Sequence, residues 1–356
     1  MRSGIIAVNY KSKNQTTKKE VSTIILHQHS IQGTSLSELS PKDHKFDITK
    51  ASSLTLAQYY LDANEVRLSE RMGNCANYLK FGLGESKNNL GEKVHRLRDA
   101  RFCQLRFCPT CTRLKARVIK NKFKKAIPLI DKDTPNLRYI FITFTAKNVE
   151  MKELKSTIKM MTTGFSRMSK LKVFPTNNFI RVLEISKGTI GGKCHPHLHC
   201  ILAVDESYFD RKYDYYLTKD KWSSMWKKSC RLNYEPIVDV RVVKGDVRNI
   251  APEILKYTCK PMELLGDKKY LLQLTQQMKN VQTISTSGLF KRYISIIENE
   301  QQDLITTDDS PAIEDEYQLL YRFHRRYKKY YLYQPEIEVN IPIPIPPGYN
   351  YEFLPY

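Results

Sequence analysis

The stretch FIRVLEISKGTIGGKCHPHLHCILAV (179–204) decides the fold. Its two aliphatic runs flank the glycine-rich segment KGTIGGK, and this pattern is typical of a β-hairpin. Because alternate residues of a strand point to opposite faces of a sheet, His195, His197 and His199 share one face of the second strand. Three imidazoles on one face of a core strand raise the question of which other side chains lie beside them.

The segments around this hairpin alternate between strand and helix patterns. We predict strands at 137–145, 179–186, 195–204 and 237–244, and helices at 151–171, 211–231 and 251–260. This β-α-β-β-α-β-α order favours an α+β fold, in which a ferredoxin-like or RRM-like antiparallel sheet carries helices on one face. The histidine strand is then an interior strand of the sheet.

Composition limits the class of partner. The 356 residues include 58 Lys and Arg against 37 Asp and Glu, which gives a net charge of +21. Such an excess favours a polyanionic partner such as nucleic acid or an anionic surface. No stretch approaches the roughly 18 apolar residues of a membrane span, and the N-terminus lacks a signal-peptide pattern, so we expect a cytoplasmic protein with no membrane partner.

Two of the histidines form a candidate metal site with a carboxylate. Neutral imidazoles of His197 and His199 can bind one divalent cation, and Glu184 of the preceding strand can point to the same face. Two imidazoles and one carboxylate with open positions suit Mg²⁺ or Mn²⁺ acting on phosphate, although Zn²⁺ and Co²⁺ also accept such ligands. The alternative is that the histidines pack structurally and that Glu184 is a solvated charge.

A second group of polar residues lies in PEILKYTCK. On a helix Glu253, Tyr257 and Lys260 are spaced i, i+4 and i+7 and form one stripe. A solvated surface stripe has the same pattern. Beside a metal site, however, a tyrosine phenol with an ordinary pKa near 10 gains nucleophilicity from a polarised phosphate and a nearby ammonium.

Three motifs in order carry a family resemblance. FITFT (141–145), HPHLHCIL (195–202) and EILKYTCK (253–260) resemble the motifs of rolling-circle replication initiator (Rep) proteins of small Gram-positive-type plasmids, members of the HUH endonuclease superfamily. The resemblance covers about residues 70–295. It implies an origin-specific, metal-dependent single-strand DNA endonuclease and strand transferase that forms a 5′-phosphotyrosyl intermediate.

The resemblance also implies a role for each matching residue. Tyr257 is the nucleophile, Lys260 steadies the phosphate or phenolate, and Glu253 activates water in the terminating cleavage. The metal ligands for Mn²⁺ or Mg²⁺ are His197, His199 and Glu184, whereas His195 precedes the motif and is not expected to be a ligand.

Four cysteines form a second candidate metal site. Cys103, Cys108 and Cys111 are spaced C-x₄-C-x₂-C, and Cys75 lies upstream. In a reducing compartment such a cluster favours a structural Zn²⁺. The same thiols can instead pack as small buried apolar groups.

These motifs divide the chain into four parts. We predict a flexible basic arm (1–50), a helical cysteine-rich zinc- and DNA-binding segment (51–130), the HUH endonuclease core (131–298), and an acidic linker with a basic-aromatic and proline-rich tail (299–356). The expected partners are plasmid origin DNA that is single-stranded at the nick, a host helicase and polymerase, and a second copy of the chain. The helicase is expected to be a separate protein because the chain lacks a Walker motif.

Two other functions fit the same motifs. A mobilisation relaxase or a single-tyrosine transposase of the HUH superfamily would use the same chemistry for another genetic purpose. A zinc-dependent DNA-binding regulator without enzymatic activity would keep the histidines as packing residues. An observation of metal-dependent nicking of single-stranded DNA would exclude this function.

Overall fold

A computed structural model of the chain describes residues 34–86, 93–188, 193–210, 212, 215–248, 261–300 and 313–333. Thr34–Leu332 forms one compact unit. Within the described ranges, none of the helices combines the length and apolar character that a membrane span requires.

The described residues form helices and antiparallel strands, so the predicted α+β class is confirmed. The helices are α1 (Leu36–Leu39), α2 (Lys45–Leu61), α3 (Val66–Gly73), α4 (Pro109–Asp133), α5 (Leu154–Met168), α6 (Lys219–Cys230), α7 (Pro261–Leu265), α8 (Lys268–Gln277) and α9 (Gly288–Glu300). The strands are β1 (Tyr78–Ser86), β2 (Lys93–Asp99), β3 (Leu137–Thr145), β4 (Phe179–Lys187), β5 (Cys194–Asp205), β6 (Val238–Val242), β7 (Ile284–Thr286), β8 (Ile313–His324) and β9 (Lys329–Leu332).

The larger sheet has the order β6-β3-β5-β4-β7, and every neighbouring pair is antiparallel. The histidine strand β5 is therefore central, as expected from its aliphatic character. One face of β5 carries Leu198, Cys200 and Leu202, which are fully buried in a core shared with α5 and α6. The tryptophans of α6, Trp222 and Trp226, are fully buried in this core.

The opposite face of this sheet is also partly covered, which differs from the expectation of helices on one face. Beyond the histidines this face of β5 carries Ile201 and Ala203, and these pack with residues of α4 and α9. The rings of Phe123 on α4 and Phe290 on α9 stack there with centroids 5.8 Å apart. Burial of this apolar part of the face removes it from water, whereas the histidines lie on the polar part and are half-buried.

The smaller sheet has the order β2-β1-β8-β9 and joins the cysteine-rich segment to a distant part of the chain. β1 and β2 lie within the segment predicted as mainly helical, between α3 and α4. β8 and β9 lie in the segment predicted as a linker and tail, and that prediction is wrong for these residues. Tyr321 and Tyr330 are fully buried whereas Arg322 is exposed, so this run alternates in the manner of a half-buried strand rather than an appendage.

Parts of the predicted organisation fall outside the described residues. These are most of the basic arm (1–33), the predicted helix 251–260, residues 301–312 of the acidic linker, and the proline-rich end (334–356).

Candidate functional site

The candidate nuclease site lies on the histidine-bearing face of the larger sheet. In the antiparallel register, His197 is opposite Glu184 of β4 and opposite Thr145 of β3. His199 is opposite Thr143 of β3. Directly opposed residues of neighbouring strands project from the same face, so the backbone pairing alone brings a carboxylate, two imidazoles and two hydroxyl groups together.

Both ring nitrogens of His199 have partners. Its Nε2 lies 2.7 Å from Oε2 of Glu184, and its Nδ1 lies 3.0 Å from Oγ1 of Thr143. The ring of Phe141 stacks on the imidazole with a centroid distance of 5.7 Å. A partner on the second nitrogen fixes the tautomer and orientation of a ligating histidine, so Thr143 has the position of a supporting residue.

Sequence reasoning does not identify Thr143, although this residue lies in the FITFT motif. The strand pattern places it on the same face as Thr145 and Phe141, but only the register with β5 shows that it meets His199.

His197 is oriented less tightly than His199. Its ring centroid lies 5.8 Å from that of His199 and 4.1 Å from that of His195. Its Nδ1 is buried and has no hydrogen-bond partner among the described residues. Burial, assisted by the two neighbouring imidazoles, lowers the pKa of His197 to about 4, so the ring is neutral near pH 7, as a metal ligand must be.

The structure thus brings Glu184 and His199 into direct contact and places His197 beside them. Adjacent ligands of an octahedral cation lie about 3 Å apart when each bond is about 2.1 Å long. The 2.7 Å separation between Glu184 and His199 is close to that value, so a cation could replace their hydrogen bond with a shift of a few tenths of an ångström. Two nitrogens and a carboxylate would leave positions open for water and a phosphate oxygen.

The predicted nucleophile and its neighbours, Glu253, Tyr257 and Lys260, fall outside the described residues. Described residues on both sides of this segment contact the larger sheet. Val247 is buried in the apolar cluster on the histidine-bearing face. After the segment, Oε2 of Glu263 accepts a hydrogen bond of 3.2 Å from the backbone N–H of Lys187, the last residue of β4.

The four predicted cysteines converge at one point. Cys75 follows α3, Cys103 and Cys108 lie between β2 and α4, and Cys111 lies in the first turn of α4. Their Sγ atoms lie within 4.8 Å of one another, with contacts of 3.5–3.6 Å. Four thiolates bound to Zn²⁺ at about 2.3 Å lie about 3.8 Å apart, so the cluster could hold a metal ion such as zinc. Elsewhere in the described ranges, no three metal-ligating side chains lie this close together.

Polar groups around the cysteines suit thiolates. The backbone N–H of Gln104 lies 3.2 Å from Sγ of Cys111, and that of Cys103 lies 3.4 Å from Sγ of Cys75. The hydroxyl of Ser53 lies 3.5 Å from Sγ of Cys108. Donors directed at sulfur are expected around a charged ligand set and are not needed by neutral buried thiols.

A buried lysine supports the loop that carries Cys75. Nζ of Lys50 donates hydrogen bonds to the carbonyl oxygens of Gly73 and Cys75 and to Oδ1 of Asn77, at 2.7, 2.6 and 2.7 Å. Only 1% of Lys50 is exposed, and burial lowers its pKa to about 8, against the opposing effect of the nearby cysteines. Its positive charge would partly balance the net negative charge of a zinc ion bound to four thiolates. Nothing in the sequence distinguishes Lys50 from a solvated helical lysine.

Known proteins resemble this chain over much of its length. A family model described as "Replication protein" matches residues 94–331, which include the larger sheet and the segment 253–260. A "Protein rep" of Streptococcus pneumoniae serotype 2 is 30% identical over 278 residues, covering 75% of this chain and 85% of that protein.

Two further relatives carry the same description. A "Protein rep" of Lentilactobacillus hilgardii is 28% identical over 291 residues, covering 77% of this chain and 90% of that protein. A "Protein rep" of Bacillus amyloliquefaciens is 34% identical over 188 residues, covering 52% of this chain and 53% of that protein. The solved structures contain no significant match.

Proposed function

This chain belongs to the replication protein family and is a plasmid replication initiator, and we propose that it starts rolling-circle replication by nicking one origin strand through Tyr257. The contact between Glu184 and His199 carries this proposal, because it brings a carboxylate of β4 and an oriented imidazole of the central strand β5 together, with a neutral His197 beside them. A metal-dependent nuclease needs this donor set, whereas a DNA-binding protein without enzymatic activity does not.

The chemistry follows from the proposed residues. Oη of Tyr257 attacks the scissile phosphorus, the P–O3′ bond breaks, and the phenolic proton is lost while the leaving oxygen takes up a proton as the 3′-OH. Lys260 stabilises the phenolate or the phosphate charge. His197, His199 and Glu184 would hold Mn²⁺ or Mg²⁺, which polarises the phosphate when bound. One phosphoester replaces another, so the strand can later be rejoined without an external energy source.

The described residues around the segment 249–260 support the role of Tyr257. Val247, before the segment, is buried on the histidine-bearing face. Glu263, after the segment, accepts a hydrogen bond from the backbone at the end of β4. Glu184 lies three residues before that end. Tyr257 thus belongs to a segment whose described ends are both attached to the sheet that carries the proposed ligands.

Glu253 has a separate role in termination. Its carboxylate accepts a proton from a water that attacks the second phosphodiester, so that the final cleavage is hydrolytic. The change Glu253→Ala should spare the first nick and slow hydrolytic release, and an unchanged release rate would reject this role. Partnership with a host helicase and polymerase, and assembly with a second copy of the chain, belong to the same proposal.

The test compares two tyrosine variants. Tyr257→Phe should abolish covalent attachment to a single-stranded origin oligonucleotide in Mn²⁺ and leave binding intact. Tyr215→Phe removes a phenol that is 58% exposed and should leave attachment unchanged. If Tyr257→Phe still forms the covalent product, Tyr257 is not the nucleophile.

The rival functions are separated by different observations. A relaxase or a transposase shares the nicking step, but the family match favours initiation of replication. A regulator without enzymatic activity would bind DNA and never become attached to it.

A further inference from the structure

The turn between β8 and β9 carries a compact group of cations that the nuclease chemistry does not use. His324 pairs with Lys329, and the four residues between them, Arg325, Arg326, Tyr327 and Lys328, form the loop of a β-hairpin. All four are exposed, and we call them the hairpin tip. The run from 321 to 333 contains five Arg and Lys residues and no Asp or Glu.

The strands below the hairpin tip are firmly anchored. Tyr321 and Tyr330 are fully buried, and Oη of Tyr330 donates a 2.5 Å hydrogen bond to the carbonyl of Ala76. The backbone N–H of Tyr330 donates to Oδ1 of Asp47 at 2.8 Å. The hairpin tip therefore projects from a fixed base, which reduces the entropy lost when it binds a partner.

The charges of the hairpin tip are not neutralised within the described part of the chain. The guanidinium of Arg326 lies over the ring of Tyr327, 5.9 Å from its centroid, and this contact leaves its charge in place. Lys329, at the base of the loop, interacts electrostatically with Glu38 and Asp47. In the described ranges no carboxylate forms an ion pair or hydrogen bond with the side chain of Arg325, Arg326 or Lys328. Three uncompensated cations on one narrow turn fit a polyanion.

The aromatic side chains narrow the choice of polyanion. Tyr327 packs against His324 and Tyr331, with ring centroids 4.8 and 6.0 Å apart, and is 49% exposed. Binding of single-stranded nucleic acid normally uses rings free to stack on successive bases. Here the ring is engaged with its neighbours and stiffens the turn. A two-stranded ribbon with a basic end instead has the dimensions of the major groove of B-DNA, which is about 12 Å wide.

We propose that the hairpin tip binds duplex DNA, with Arg325, Arg326 and Lys328 contacting phosphates at the edges of a groove. This is a second DNA contact, separate from the site that accepts the single strand. It rests on the proposed function only in that the duplex is the DNA flanking the nick. Phosphate contacts of this kind would position the chain on the origin and leave the chemistry to the histidine-bearing face.

The test removes the three cations and compares the result with a matched control. The hairpin variant combines Arg325→Ala, Arg326→Ala and Lys328→Ala. The control variant combines Lys152→Ala, Lys155→Ala and Lys159→Ala, and it removes three exposed cations in and just before α5, which packs on the face of the larger sheet opposite the histidines. Full-length proteins are titrated with a fluorescent origin duplex between 50 and 200 mM salt. Each lost phosphate contact should reduce the slope of log affinity against log salt by about 0.9.

The expected result is specific to the hairpin variant. If three phosphate contacts are lost, the fold-decrease in affinity between 50 and 200 mM salt should be about 40 times larger for the wild type than for the hairpin variant. The control variant should keep most of the wild-type slope. Nicking of a single-stranded origin oligonucleotide should stay at the wild-type rate in both variants, which also shows that both are folded.

Three results would overturn the proposal. One is an equal change of salt slope in the two triple variants, since the effect would then come from total charge. Another is an equal loss of affinity for single-stranded and duplex DNA. A third is loss of single-strand nicking in the hairpin variant. If wild-type protein fails to nick but the hairpin variant still loses duplex affinity, the proposed function fails and the duplex contact stands.

Discussion

Replacing Lys50 with methionine should destabilise the protein and loosen the cysteine cluster. Lys50 is buried, and its three hydrogen bonds of 2.6–2.7 Å all go to the loop that carries Cys75. Methionine has a similar length and preserves the apolar packing, but it donates no hydrogen bond. Three acceptors would be left without their charged donor.

The size of the effect follows from two opposing contributions. Hydrogen bonds to a charged group contribute about 1.5–3 kcal/mol each, so the three bonds amount to roughly 4–9 kcal/mol. Against this, burial lowers the pKa of Lys50 from 10.5 to about 8, which corresponds to a cost of about 3 kcal/mol for holding the charged form. We expect a net loss of about 1–6 kcal/mol in the free energy of unfolding.

Two measurements check this prediction. The free energy of unfolding is obtained by denaturant titration of wild type, Lys50→Met and Lys45→Met, the last being an exposed lysine of the same helix. Lys45→Met should change stability by less than about 0.5 kcal/mol. Zinc release to a colorimetric chelator should be faster in Lys50→Met than in either other protein. A loss no larger than that of Lys45→Met, with an unchanged rate of zinc release, would show that Lys50 does not support the cysteine loop.

The remaining predictions concern one residue each. Glu184→Gln keeps a hydrogen-bonding group beside His199 but removes the charge, so the Mn²⁺ concentration for half-maximal nicking should rise at least about 10-fold; an unchanged requirement would remove Glu184 from the ligand set. Cys108→Ser should abolish stoichiometric zinc in the purified protein, and full retention would exclude Cys108 as a ligand. Burial lowers the pKa of His95 to about 4, below its ordinary 6.5. The stability that comes from keeping this ring neutral is present above pH 6.5 and is lost as pH falls towards 4, by up to about 3 kcal/mol. His95→Phe should flatten this dependence in denaturant titrations at pH 7.5, 5.5 and 4.5, and identical pH profiles for the two proteins would contradict the assignment.

The larger sheet could be predicted because its signals are local. The predicted strand at 137–145 coincides with β3, and those at 179–186 and 195–204 match β4 and β5 to within one residue at each end. Period-two alternation of aliphatic residues places His197 and His199 on one face of their strand, and the hairpin pattern predicts that Glu184 of the neighbouring strand can point to the same face. The C-x₄-C-x₂-C spacing likewise predicts that Cys103, Cys108 and Cys111 converge, whereas the position of Cys75 beside them is shown by the structure.

The parts that were not predicted depend on contacts between distant residues. Tyr78 of β1 pairs with Arg322 of β8, more than 200 residues away, and no local sequence pattern predicts this pairing. The alternation of buried Tyr321 with exposed Arg322 is present in the sequence, but the charges and the flanking proline-rich end favour a tail. Lys50 and Thr143 owe their roles to partners in other elements, the Cys75 loop and His199 respectively.

The central claim is that Tyr257 becomes covalently joined to the nicked strand. The most direct measurement incubates the protein with a single-stranded origin oligonucleotide and Mn²⁺, digests the product with protease and nuclease, and identifies the nucleotide-bearing peptide by mass. We predict a peptide that contains Tyr257, linked to a 5′-phosphate. Attachment at another of the 22 tyrosines, or cleavage without any linked peptide, would contradict the proposed mechanism.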